Sequence, residues 1–246
     1  MFELLKGNVL TYENGSNKWM STDSPEYYRG NCDNSIQFKN RWKNVDLTYN
    51  LNSQGYRCPE WDQIDWEESV VIYGDSCIAG VGVTENNTLS YFLQEELQRP
   101  VINLGVAGSS NLFSLYNMIN TKTADITPYA VINVETSPER TLTFRKPGVA
   151  NTGLDHWGSW NTDKLGYRRF WLKHEENYIE HSKFIVENKK FLWKDTKYLC
   201  YELSDELHKL PRTLKLARDM LHPGAEAYAT QAKYIKSDWI KNGWMD

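Results

Sequence analysis

Apolar positions in residues 1–65 are scattered and hold no sustained period. Segments such as GNCDNS and LNSQGYRCPEW are polar and turn-rich. This predicts an irregular N-terminal arm over residues 1–65, lying on a main domain over 66–246 and not folding independently. From residue 69 the pattern changes. SVVIY at 69–73 is β-branched and bounded by Gly74 and Asp75, which predicts a buried strand. TLSYFLQEELQ at 88–98 has apolar residues at helical spacing, with Thr88 placed as N-cap. Residues 101–104 predict a second strand ending at Gly105. Residues 110–120 predict a helix with Leu112, Leu115, Tyr116 and Ile119 on one side. A third strand is expected over 130–134, and a helix over 177–190 with a start as far back as Tyr167. A fourth strand is expected over 197–203. Pro223, well tolerated at the first helical position, is expected to open a last helix running to about Lys241.

Strands alternating with helices predict a parallel sheet covered by helices on both faces, joined by right-handed crossovers. The stretch from about 140 to 170 breaks the alternation. It is rich in Gly, Asn and Trp and is expected to be a long functional or mobile loop. Ligands of open α/β sheets bind beyond the carboxyl ends of the strands. The places to inspect are therefore residues 74–82, 105–111, 135–140 and the chain from Ser204 onward.

Bulk properties narrow the function classes. The 246 residues suit one α/β domain with an insertion, and 40% hydrophobic with 24% charged residues is a globular composition. A formal net charge of -4 gives the whole molecule no attraction to nucleic acid or an anionic membrane, so neither is expected as a partner. No apolar run reaches the roughly 18 residues needed to span a bilayer. The N-terminal apolar run is too short for a secretory signal, so a cytoplasmic location, or release without a signal peptide, is expected. The cysteines at 32, 58, 77 and 200 fit neither a zinc pattern nor a disulfide scaffold. The histidines at 156, 174, 181 and 208 have no ligand-like spacing. No metal and no cofactor are expected. Ten Trp, fifteen Tyr and eight Phe supply core material and suit stacking on sugars or apolar acyl groups.

Two motifs carry chemistry. GDSCIAGVGV follows the first strand, and a Ser in a tight, Gly-flanked strand-to-helix turn is a good nucleophile position, close to backbone N–H groups that can hold an oxyanion. Lys-Ser/Thr and G-x-G-x-x-G are both missing, so neither a P-loop nor a dinucleotide fingerprint is present. Ile78 stands where an α/β-hydrolase elbow needs its second Gly. Asp75 reads as a turn stabiliser. The second motif is DMLHPG at 219–224. Pro223 keeps His222 out of helical geometry, and Asp219 three residues earlier can fold back to its ring. That is the base and orienter a Ser nucleophile needs.

GDS after the first strand together with D-x-x-H-P before the last helix resembles the SGNH/GDSL hydrolase family, over roughly residues 50–240. The upstream NSQGYRCPEW is similar to a lead-in segment of some members. The resemblance implies a flavodoxin-like three-layer α/β/α fold, with Ser76 as nucleophile and Asp219 and His222 as its activating pair. It also implies an oxyanion hole built from Ser76, from Gly108 in NLGVAGSS, and from a third position usually held by Asn in a GxND block. Here VINVETSPER places Ser137 at that Asn and Glu135 near the Gly, a departure from the pattern. The expected activity is serine ester hydrolysis through an acyl-enzyme, on a small-molecule or carbohydrate ester and in particular an O-acetylated sugar. Arg140, Trp157 and Trp160 are expected to line the substrate site. Two other readings stay open: a non-catalytic fold that binds carbohydrate or serves structurally, and an acyltransferase using the same three residues.

Overall fold

A computed structural model of the chain describes residues 2–8, 17–144, 154–157, 175–202, 207 and 216–244. Two helices occupy the N-terminal stretch expected to be irregular, α1 (Pro25–Asn34) and α2 (Ile36–Trp42). The hydroxyls of Ser24 and Ser35 cap them by accepting the N–H of Tyr27 and Phe38, and Pro25 takes a first-turn position where its missing N–H costs nothing. The apolar period fails to announce them for a physical reason. α1 buries no side chain, and α2 buries only Phe38 and Trp42. These two join Met20, Leu47 and Tyr49 in a cluster that packs on Ala79 and Val81.

The chain continues through β1 (Val70–Gly74), α3 (Ser76–Ala79), α4 (Leu89–Leu97), β2 (Val101–Gly105), α5 (Asn111–Thr123) and β3 (Ala130–Val134). β4 (Thr141–Phe144) and β5 (Leu154–Trp157) then pair antiparallel. α6 (Glu175–Leu192), β6 (Lys197–Tyr201) and α7 (Ala225–Lys241) complete the order. β2, β1, β3 and β6 form one four-stranded sheet in that order, with every pairing parallel.

All five residues of β1 are buried, because helices cover both faces of the sheet. Val70 and Ile72 meet Leu89 and Leu93 of α4 and Tyr228, Ile235 and Trp239 of α7. Val71 and Tyr73 point the other way, to Phe113 and Met118 of α5 and to Trp193 just beyond α6. The two-residue period of a strand thus resolves into two apolar faces, as parallel strands require. The result is a three-layer α/β/α fold of flavodoxin-like type. α4 follows β1 on one face and α5 follows β2 on the other, so the winding reverses between β1 and β3. The carboxyl ends of those two strands flank the crevice where such sheets bind ligands.

Two local expectations need correction. Pro223 does not open α7. The helix begins at Ala225 with Gly224 as its cap, so the proline stands just outside. The stretch from 140 also starts as a hairpin, with Thr141 opposite Trp157 and Leu142, buried in the α5 face of the core, opposite His156. Four alternating residues, TLTF, are too short a run to separate from a loop by period alone. The rest of that insertion lies outside the described residues. Among the described residues no helix is long and apolar enough to cross a membrane.

Gly105 shows how tightly α3 is seated. A Cβ there would lie 2.3 Å from the Ala79 nitrogen and 2.7 Å from the Ile78 carbonyl carbon, both backbone atoms. Gly105→Ala must therefore push α3 away from β2. The expected loss is about 1–3 kcal/mol or more, as for other overpacked cores, read as a lower midpoint in urea unfolding.

Candidate active site

Ser76 is the first residue of α3, directly after β1. Asp75 caps that helix, its Oδ1 accepting the Cys77 N–H at 2.9 Å. A helix of four residues cannot hold itself together, and a buried arginine closes its far end. The Arg57 guanidinium donates to the carbonyls of Ala79 at 3.4 Å, Gly80 at 2.8 Å and Val83 at 3.1 Å, and its Nε meets Glu85 at 2.7 Å. The lead-in segment GYRCPEW thereby braces the turn that carries Ser76.

His222 and Asp219 arrive from the loop before α7. His222 Nε2 lies 2.7 Å from Ser76 Oγ, and His222 Nδ1 lies 2.5 Å from Asp219 Oδ2. The tautomer follows from the partners. An ionised carboxylate only accepts, so Nδ1 carries the proton and Nε2 is left to accept from the Ser76 hydroxyl. Ser76 is 8% exposed and Asp219 1%, so water does little to screen the contact between the imidazole and the carboxylate. Asp219 fills both its oxygens. Oδ1 takes the N–H groups of Leu221 at 3.0 Å and His222 at 3.1 Å, while Oδ2 also takes the Thr22 hydroxyl at 2.6 Å.

The loop is bolted down on its other side. Arg218 Nε and Nη2 meet the two oxygens of buried Asp23 at 2.9 and 2.7 Å. Tyr49 Oη donates to Asp23 at 2.5 Å and accepts the Gly82 N–H at 2.8 Å. The Gly82 carbonyl in turn accepts the Arg218 N–H at 2.9 Å. Gly82 has φ +78, and a Cβ there would come within 3.0 Å of the Arg218 nitrogen. The missing side chain is what lets residues 217–219 approach the chain after α3.

Burial favours the neutral form of both site carboxyls, yet both titrate below their ordinary value. For Asp219 the desolvation is outweighed by the hydrogen bond and charge of His222, the Thr22 hydroxyl and the Leu221 N–H. For Asp75 it is outweighed by the Arg140 charge, the Cys77 N–H and the Thr136 hydroxyl. A depressed folded-state value means that the stability these groups lend is complete above their unfolded values, near pH ~4, and is lost as pH falls through the folded ones.

The other expected residues are placed as follows. Arg140 Nη1 pairs with Asp75 Oδ2 at 2.8 Å, and Thr136 Oγ1 lies 3.0 Å from the same oxygen, tying the loop after β3 to the turn that carries Ser76. The Ser137 hydroxyl donates to Glu139. Gly108 has φ +75 in the turn after β2. That turn is fixed by Asn8, which accepts the Ala107 N–H at 2.7 Å and donates to the Gly105 carbonyl at 2.9 Å. Glu135 turns inward. Its Oε1 pairs with Lys189 at 2.9 Å, with the two side chains 3% and 0% exposed. A cavity of about 280 Å³ opens between this loop and α6, lined by Asn111, Thr136, Pro138, Ile179, Ser182 and Val186 among others. Of Trp157 only the backbone, in β5, is described, and Trp160 lies outside the described residues.

Thr22, Asp23, Tyr49, Arg57 and Arg218 escaped the sequence analysis. Thr22 lies 197 positions from Asp219 and Asp23 lies 195 from Arg218, and no local period marks such contacts. Only Arg57 had a signal, its place in the lead-in segment.

No protein-family model and no curated protein matches the sequence. Solved structures do show similarity. One is an acetyl xylan esterase, Est2A, from the rumen bacterium Butyrivibrio proteoclasticus. It has 12% identity and a TM-score of 0.42 over 74% of this chain and 66% of its own. Another is a carbohydrate esterase family 2 enzyme with a carbohydrate binding domain from Corynascus thermopiles (Myceliophthora fergusii). It has 11% identity and a TM-score of 0.39 over 72% of this chain and 67% of its own. A third is a member of the lipolytic protein G-D-S-L family from Veillonella parvula, with 13% identity and a TM-score of 0.35 over 68% of this chain and 97% of its own.

Proposed function

We propose that the protein is a serine hydrolase of carboxylic esters. The observation that carries the reading is the unbroken chain from Ser76 Oγ through His222 to Asp219, at 2.7 and 2.5 Å, at the sheet's crevice. In the proposed reaction His222 Nε2 takes the Ser76 proton as Oγ attacks the ester carbonyl. Asp219 holds the ring and balances the imidazolium. The developing oxyanion is held by the backbone N–H groups of Ser76 and Gly108. Ser137 is the proposed third donor, and its hydroxyl must turn from Glu139 to serve. The imidazolium returns its proton to the alcohol oxygen as the ester C–O bond breaks. Water then attacks the acyl-enzyme, giving its proton to His222, and Ser76 leaves with that proton restored.

O-acetylated carbohydrates are the first substrates to try, on the strength of the chain's aromatic content. Arg140, Trp157 and Trp160 remain proposed lining residues. The decisive experiment is treatment with a fluorophosphonate. Intact mass is expected to rise by one adduct on the peptide holding Ser76, and Ser76→Ala should take up none. Labelling of another residue, or of the alanine variant, removes Ser76 as nucleophile.

A further inference from the structure

Asp219 is gripped from two directions, and only one belongs to its own loop. The N–H groups of Leu221 and His222 hold Oδ1. They leave the carboxylate torsion to be set, and that torsion is intrinsically broad for Asp. The second side-chain donor to Oδ2 is Thr22 Oγ1 at 2.6 Å, beside His222 Nδ1 on the same oxygen. Thr22 sits in a tight turn closed by reciprocal backbone bonds between Met20 and Asp23 at 3.0 and 3.1 Å, with Ser21 held at φ +56. A non-glycine residue in that region is strained and persists only where the surroundings over-determine it. The surroundings here are the adjacent rung of the same ladder, since Thr22 meets Asp219 while Asp23 meets Arg218. The carboxylate of Asp23 engages the Arg218 guanidinium, which ties the residue before Asp219 to the same turn.

We infer that Thr22 is a positioning residue. Through its hydroxyl the N-terminal segment aims Asp219 Oδ2 at His222, extending the chain of hydrogen bonds to Thr22–Asp219–His222–Ser76. The inference rests on the hydrolase reading above. Its consequence is that the stretch before β1 is part of the reactive centre and not only a cover for it.

The test compares wild type with Thr22→Val, which keeps the shape and removes the hydroxyl, and Thr22→Ser, which keeps the hydroxyl. Thr22→Ala stands in where valine disturbs the turn. The readout is fluorophosphonate labelling of Ser76, separated into the probe's saturation constant and its maximal rate, with thermal unfolding followed in parallel. A hydrogen bond to a charged group supports roughly a tenfold slower maximal rate on its loss. The expected result is that fall in Thr22→Val with an unchanged saturation constant, and a rate within about threefold of wild type in Thr22→Ser. Thr22→Val at the wild-type rate overturns the role, and so does Thr22→Ser as slow as Thr22→Val, which would make the site one of packing. A wild-type protein that takes up no probe overturns the hydrolase reading itself and this role with it. A labelled wild type with an indifferent Thr22 overturns the role alone.

Discussion

Replacing His222 by alanine is expected to slow ester turnover by about 10⁵–10⁶-fold, the scale on which loss of the base collapses a Ser–His–Asp unit. The fold should survive the change. The loop around His222 is held through that residue's own backbone, its N–H donating to the Asp219 side-chain Oδ1 at 3.1 Å and its carbonyl accepting the Ala217 N–H at 3.0 Å, and alanine keeps both. Ser76 would lose the acceptor placed to take its proton, and its hydroxyl is a poor nucleophile without one. Only a neutral Nε2 can act as base, and Asp219, which titrates below its ordinary value, is ionised at neutral pH to orient the ring. The check is steady-state kinetics on a simple ester at neutral pH, with circular dichroism on the variant. Residual activity within a hundredfold of wild type would remove His222 from the reaction.

Local signals in the sequence located the sheet and the reactive pair, and missed what holds them in register. β1, β2 and β3 were legible because short apolar runs end at Gly74, Gly105 and the polar chain after Val134. α4 was legible because Thr88 caps it and Leu89, Leu93 and Leu97 share its buried face. Ser76 and the Asp219–His222 pair could be read because each lies beside residues that fix backbone geometry, Asp75 in one case and Pro223 in the other. α1 buries no side chain and α2 only Phe38 and Trp42, so no sustained apolar run marks them, and the Ser24–Pro25 capping signal is what could have found α1. The loop after β3 holds a contact visible only in three dimensions. Glu135 serves a buried ion pair with Lys189, and neither residue advertises the other across the sequence. Arg57 has the same character. Its guanidinium serves three carbonyls around α3, and nothing within the lead-in segment predicts which ones.

Asp23→Ala is expected to cost about 3–5 kcal/mol of folding stability, the range for breaking a buried ion pair by removing one partner. Asp23 is 1% exposed and the Arg218 side chain 6%, so water cannot replace the lost carboxylate. The guanidinium would keep its bond to the Lys18 carbonyl at 2.5 Å and its place 4.2 Å from the centre of the Trp19 ring. Those partners are neutral, and the charge would remain uncompensated. Tyr49 Oη would lose its acceptor as well, leaving a buried hydroxyl with only the Gly82 N–H to receive. For a chain of this size the loss corresponds to a melting temperature lower by roughly 6–20 °C. The contrast is Glu26→Ala. Its pair with Arg29 spans one turn of α1, with the two side chains 60% and 71% exposed, and such pairs contribute at most about 1 kcal/mol. Thermal melts of the two variants separate the cases. The damage in Asp23→Ala should also reach the reaction, because Arg218 sits one residue from Asp219 and its lost anchor loosens the loop that carries that carboxylate. Labelling of Ser76 in Asp23→Ala, measured well below its melting temperature, is therefore expected to be slower than in wild type. A melt within 2 °C of wild type, or full labelling speed in a destabilised but folded variant, would show that the clamp between the N-terminal segment and the 217–222 loop does not set the geometry of the site.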